Sequence, residues 1–203
     1  MLDGIMRRLV GPGLDRIGGR LAATGVRADQ LTLAGAGAAL AMGAAIAAGA
    51  FMSALIFLGL SRLADGLDGA VARRNGLTDF GGYLDIVCDF IFYGALPLAF
   101  ALHDPAHALP AAVLLASFYL NGASFLGFAI LAERRGLKTD IRGAKSLYFT
   151  TGLAEGSETI AVFVAMLLWP GWFPPLAYGF AGLCLITFLA RVRLAAEVFH
   201  VGE

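Results

Sequence analysis

Asp65, Asp68, Asp85 and Asp89 place four carboxylates inside two otherwise strongly apolar segments. Carboxylates in a lipid-embedded chain are costly unless they face a partner, a cavity or a metal. Asp65 and Asp68 are spaced i,i+3, and Asp85 and Asp89 i,i+4, so each pair occupies one face of a helix. Brought together, the four would repel one another and several would be forced to protonate. Divalent cations remove that conflict, and oxygen donors without His or Cys suit Mg²⁺ or Mn²⁺ better than Zn²⁺. Two such ions bridged by carboxylates form the clamp used in phosphoryl displacement. Gly69 and Gly81 lack side chains and let a nucleotide or a neighbouring helix approach the backbone. Arg73, one turn beyond Gly69, can pair with a phosphate bidentately. The plainer alternative, two acidic helix ends that happen to meet, leaves the cost of so much charge unexplained.

The elements that must position these groups are two antiparallel helices joined by the Asn75-Gly76-Leu77 turn. With Leu77 as the bend, Asp65 and Asp89 are equidistant along the chain, and Asp68 and Asp85 nearly so. Equal distance from the turn means equal depth, so the four are expected to converge at one level.

The rest of the chain supplies a membrane context. It has 203 residues, 59% hydrophobic and 15% charged, and a mean hydropathy of +0.77. Those values are far from an ordinary soluble domain and close to a polytopic membrane protein. Six apolar segments, 31–50, 51–73, 80–102, 109–132, 146–169 and 173–195, each approach the ~20 residues needed to cross a bilayer. The fold expected is all-α: residues 1–27 as an amphipathic interfacial segment, then a six-helix catalytic domain over 28–203. In the first part Leu2, Ile5, Met6 and Leu9 recur at helical spacing, Gly11-Pro12-Gly13 breaks the run, and Leu14, Ile17 and Leu21 start a second stripe.

Charge distribution orients the bundle. The links Gly49-Ala50, 103–108 and 169–175 contain none of the fifteen Lys and Arg residues, which gather on the opposite side. By the positive-inside bias both termini and the acidic hairpin turn are cytoplasmic. A formal net charge of zero says nothing about partners, but the basic residues fall in short membrane-flanking groups, which argues against nucleic acid. Cys88 and Cys184 lie in apolar runs and read as core fillers. A chain of this size with no targeting segment is expected in a bacterial inner membrane.

Other polar residues carry two readings each. Arg62, one turn before Asp65, either balances the acidic cluster or holds a substrate phosphate. Arg142 and Lys145 read first as membrane anchors, with an acceptor-phosphate contact as the sharper alternative. Glu155 and Glu158, i,i+3 in the fifth segment, are candidates to line the acceptor pocket. Asn121 serves equally well as interhelical glue.

The pattern Asp65-x2-Asp68-Gly69-x2-Ala72-Arg73 followed by Gly81-x3-Asp85-x3-Asp89 resembles that of the CDP-alcohol phosphotransferases. One departure is a span of seven residues between Arg73 and Gly81, where the family usually has eight. The resemblance implies transfer of a substituted phosphoryl group from a CDP-linked donor to an alcohol, with release of CMP. It implies Asp65, Asp68, Asp85 and Asp89 as ligands of two Mg²⁺ or Mn²⁺ ions, and Asp89 also as the general base. It further implies Gly69 and Arg73 as contacts to the CDP moiety, with Thr78 or Asp79 as another. Asp29-Gln30-Leu31-Thr32 resembles the family's entrance to the first membrane helix, making Thr32 a candidate for cytidine binding. A homodimer is implied as well.

The leading expectation is a phosphatidyltransferase acting on CDP-diacylglycerol and a small alcohol. Within the family, a CDP-alcohol donor with diacylglycerol as acceptor is the alternative. A divalent-cation transporter would need ligands continuing towards the far leaflet, and none is present on any segment. A catalytically dead scaffold is disfavoured because all four aspartates are retained.

Overall fold

A computed structural model describes residues 3–136 and 155–199, with side chains from residue 8 onward. The described residues form seven α-helices: α1 (Asp3–Ala23), α2 (Ala28–Ala47), α3 (Phe51–Asn75), α4 (Asp79–His103), α5 (Ala108–Arg134), α6 (Gly156–Leu168) and α7 (Phe173–Phe199). Short 3₁₀ turns, η1 (Pro105–His107) and η2 (Pro170–Trp172), lead into α5 and α7.

The helices α2, α4, η1–α5 and η2–α7 are long and apolar enough to cross a membrane, so the chain is a multi-pass membrane protein. Helix α3 has the length, at 25 residues, but carries Arg62, Asp65, Asp68, Arg73 and Arg74. Helix α6 spans 13 described residues. The first part of the fifth predicted segment, with Arg142 and Lys145, lies outside the described residues.

Two expectations change. The first helix does not break at Gly11-Pro12-Gly13; α1 runs through Pro12 without interruption. Proline there removes the hydrogen bond to the carbonyl of Arg8, on an exposed stretch where water can take its place. The second concerns the acidic hairpin. Helices α3 and α4 are antiparallel neighbours in the chain, yet their backbones scarcely approach one another, and α2 packs against both. Small residues make that possible. A Cβ on Gly35 would stand 3.3 Å from the Ser61 carbonyl oxygen of α3, and one on Gly43 3.5 Å from the Ala95 carbonyl oxygen of α4. Close backbone approach is how helices associate where lipid offers no hydrophobic drive.

The core and the polar groups occupy opposite ends of the bundle. Away from the 76–78 turn, Met42, Ile46, Phe92, Leu96, Phe100, Leu114, Phe163 and Phe173 are fully buried. Phe100 stacks on Phe173 with centroids 4.1 Å apart, and His107 packs against both rings. Dispersion in this dense aromatic cluster fixes the helices at that end. The four aspartates lie nearer the turn. Cys88 and Cys184 are buried free thiols, as core fillers should be.

Candidate active site

Helix α3 ends at Asn75 because Gly76 takes φ +103°, a conformation open mainly to glycine. Thr78 then caps α4, its Oγ1 accepting from the Gly81 amide at 3.0 Å. Asp65 lies ten residues before the end of α3 and Asp89 ten residues after the start of α4; for Asp68 and Asp85 the counts are seven and six. The pairs therefore form two levels, about 10 Å and about 15 Å from the turn.

The outer level opens into a cleft of about 310 Å³ lined by Thr32, Asp68, Gly69, Gly81 and Asp85, with Arg27, Asp29, Asn75 and Thr78 at its rim. That volume suits a small ligand's polar part. Asp68 is buried, and Thr32 Oγ1 directs its one proton to Asp68 Oδ2 at 2.6 Å, the shorter of its two contacts, the Ala28 carbonyl lying 3.1 Å away. Thr32 is thus the second helix's hold on Asp68. A Cβ on Gly81 would stand 2.9 Å from Thr78 Oγ1 and 3.5 Å from Asp29 Oδ1, so glycine there keeps the cap and the cleft wall compatible.

The inner level is closed by Arg62. Its Nη1 lies 3.5 Å from Asp65 Oδ1 and 3.2 Å from Asp89 Oδ1, joining α3 to α4. Its guanidinium also lies 3.7 Å over the ring of Phe92, and Nη2 donates to the buried Ser61 hydroxyl. Arg62 therefore floors the carboxylate site and separates it from the aromatic core. Of its two readings, charge balance is the one its contacts match.

The donor set has the chemistry of a hard divalent cation site, since all four groups are carboxylates at two adjacent levels. As the side chains stand, no three acidic, His or Cys groups among the described residues close into a ready ligand cluster. Asp65 and Asp89 are turned to Arg62 and Asp68 to Thr32. The residues fit a cation in kind and in level, with rotation of the carboxylates needed to bind one.

Arg73 does not line the cleft directly. Its Nη1 lies 3.3 Å from where a Cβ on Gly69 would stand, and its Nη2 donates to Asp15 of α1 at 2.8 Å. Asp79 begins α4, exposed and outside the cleft wall. Glu155 stands at the N-cap position of α6 without a side-chain capping bond, and Glu158 lies in the first turn, both outside the cleft.

Sequence reasoning missed two groups. Asp29 stands on the rim and pairs with Arg27 at 3.1 Å. Arg191, inside α7, donates through Nη1 to the Asn121 carbonyl at 2.9 Å, the Asn121 side chain at 2.8 Å and Ser124 at 3.0 Å. The available signal was an arginine inside a predicted span, since an intramembrane cation demands a partner.

Comparison with known proteins gives consistent results. The chain is 42% identical to Inner membrane protein YnjF of Escherichia coli over 95% of this chain and 94% of that protein. It is 28% identical to the archaetidylinositol phosphate synthase of Pyrococcus horikoshii over the full length of both. Among solved structures, the Mycobacterium tuberculosis phosphatidylinositol phosphate synthase with CDP-DAG bound superposes with a TM-score of 0.71 at 24% identity, covering 90% of this chain and 93% of that one. The same enzyme in complex with manganese and citrate gives 0.69 at 25% identity, covering 89% and 88%. Residues 26–196 match the CDP-alcohol phosphatidyltransferase family, and this protein, a phosphotransferase, belongs to it.

Proposed function

We propose that the protein transfers the phosphatidyl group of CDP-diacylglycerol to a hydroxyl of a small alcohol, releasing CMP. The observation that carries this reading is the two-level carboxylate arrangement. Asp68 and Asp85 stand in an open cleft beside Gly69 and Gly81, and Asp65 and Asp89 lie one level deeper. Mg²⁺ or Mn²⁺ held by Asp65, Asp68, Asp85 and Asp89 supplies positive charge to the diphosphate.

The chain's own residues do the rest. Arg73 pairs with a phosphate of the donor, and the bare backbones at Gly69 and Gly81 let the nucleotide lie close to α3 and α4. Thr32 holds Asp68 in place and Thr78 fixes the start of α4. Asp89 takes the proton of the acceptor hydroxyl, whose oxygen attacks the β-phosphorus in line. The bond from that phosphorus to the CMP oxygen breaks and CMP leaves. Much of the gain comes from holding hydroxyl and phosphorus together, which lowers the basicity required of a carboxylate. The diacylglycerol tails remain in the bilayer, which suits a cleft sized for the polar part alone.

The wider reading is a bacterial inner-membrane enzyme with six spans, supported by the four apolar helices and the name of the Escherichia coli relative. Helices α3 and α6 complete the six, α1 lies at the interface, and the basic distribution puts the termini and the cleft on the cytoplasmic side. Two copies associate as a homodimer; Gly37 on α2 has open space beside it and suits such a contact. For the acceptor we favour inositol phosphate ahead of other small alcohols, a reading supported by the name of the Pyrococcus relative, archaetidylinositol phosphate synthase. The test is CMP release by purified protein from radiolabelled CDP-diacylglycerol with Mn²⁺ or Mg²⁺ and a panel of acceptors. No release with any acceptor, nor from a CDP-alcohol donor with diacylglycerol, would overturn the reading.

A further inference from the structure

Helix α1 lies before the family-matching region, which begins at residue 26, yet it packs against the stretch of α3 that carries the aspartate motif. The approach is close. A Cβ on Gly18 would stand 2.5 Å from Ala70 Cβ, and one on Gly66, next to Asp65, 2.7 Å from Leu14 Cδ1. Asp15 lies between these two contacts and accepts from Arg73 Nη2 at 2.8 Å.

We propose that Asp15 is a positioning residue for the donor: it anchors Arg73 so that the guanidinium lies over Gly69 at the cleft. The inference rests on the donor reading above. Arg73 is a long side chain on an exposed helix end, 60% accessible, and without an anchor it samples many rotamers. An isolated surface ion pair does little to order such a chain, because fixing the acid costs as much as is gained. Asp15 differs because helix packing at Gly18 and Leu14 has already fixed its backbone. The planar fork keeps one edge on Asp15 and leaves Nη1 beside Gly69, free to meet a donor phosphate in a prepared orientation. This gives α1 a role in binding a substrate it does not touch.

The experiment compares Asp15→Asn, Asp15→Glu and Arg73→Ala with the unaltered protein, using CDP-diacylglycerol, a working acceptor and thermal melting. Asp15→Asn should raise the donor KM roughly threefold to tenfold, leaving kcat, acceptor KM and the melting point essentially unchanged. Asp15→Glu should recover most of the loss, and in an Arg73→Ala background Asp15→Asn should add nothing. Gly18→Leu, which forces α1 away from Ala70, should reproduce the donor KM effect. An unchanged or lower donor KM in an active Asp15→Asn protein overturns the inference and leaves the donor reading standing. So do equal effects with and without Arg73. Failure of the unaltered protein to release CMP from any CDP-linked donor removes the donor reading and the inference with it.

Discussion

Asp65 and Asp89 share a single nitrogen atom: Nη1 of Arg62 lies 3.5 Å from one carboxylate and 3.2 Å from the other. The Arg62 side chain is only 16% exposed, so this ion pair is not a surface ornament. Replacing Arg62 by Gln should leave the two carboxylates facing each other in a poorly solvated site. Because both aspartates keep partial solvent access, the loss should be about 1–3 kcal/mol, below that of a fully buried broken pair. Thermal melting in EDTA measures it, and Mg²⁺ or Mn²⁺ should restore part of the melting point.

Asp89→Asn is expected to separate structure from chemistry. The amide oxygen still accepts from Arg62, so melting and membrane insertion should stay close to normal. An amide cannot take a hydroxyl proton, and CMP release should fall by at least roughly a hundredfold. Normal turnover by purified Asp89→Asn protein would remove this residue from the mechanism.

Thr32→Val keeps shape and deletes the donor to Asp68 Oδ2. The unsatisfied carboxylate should cost about 1–3 kcal/mol and lower turnover, whereas Thr32→Ser should retain most of both. Equal activity in the two variants would show that Thr32 does not hold Asp68.

Gly81→Ala places a methyl 2.9 Å from Thr78 Oγ1. It should disturb the α4 cap by about 0.5–2 kcal/mol and narrow the cleft. Thr78→Ala alone should cost a similar amount, and the double variant less than the sum, because both act on one contact. Denaturation of the three proteins checks this.

Removal of divalent ions by EDTA should abolish CMP release, and Mg²⁺ or Mn²⁺ should each restore it. Full activity after exhaustive chelation would contradict the carboxylate reading.

Much of this was legible in the chain because charge is so rare in it. The spacings i,i+3 and i,i+4 and the symmetry about Leu77 follow from helix geometry alone and predict a single shared level; the split into two levels emerges only with the helix ends at Asn75 and Asp79. Interhelical distance does not follow from spacing either. Separation of α3 and α4 depends on Gly35 and Gly43 of α2, and nothing in a linear pattern says which small residue meets which helix. The same limit hid Asp15: its partner Arg73 is remote in sequence, and α1 reads as an interrupted amphipathic segment when Pro12 is taken as a helix breaker. Arg191 falls among the membrane-flanking cations when charge is read along the chain, whereas its partners in the fold are Asn121 and Ser124. Cleft residues such as Thr32 and Gly81 were found as motif positions; their jobs, holding Asp68 and sparing the Thr78 cap, required geometry.

Helix α2 contributes none of the four central aspartates, only Asp29 at the edge of the cleft, yet it is the gauge that spaces the two helices that carry them. The aspartate-bearing helices barely approach each other, so the aperture between Asp65–Asp68 and Asp85–Asp89 is inherited from a third helix made largely of glycine and alanine. Its two contacts have different tolerances: a methyl at Gly43 meets ordinary van der Waals distances, whereas one at Gly35 crowds the Ser61 carbonyl. Enlarging Gly35 would move α3 alone, tilting one jaw of the site while the other stays in place. Redesign of this active site can therefore begin at a residue with no side chain and no chemistry of its own.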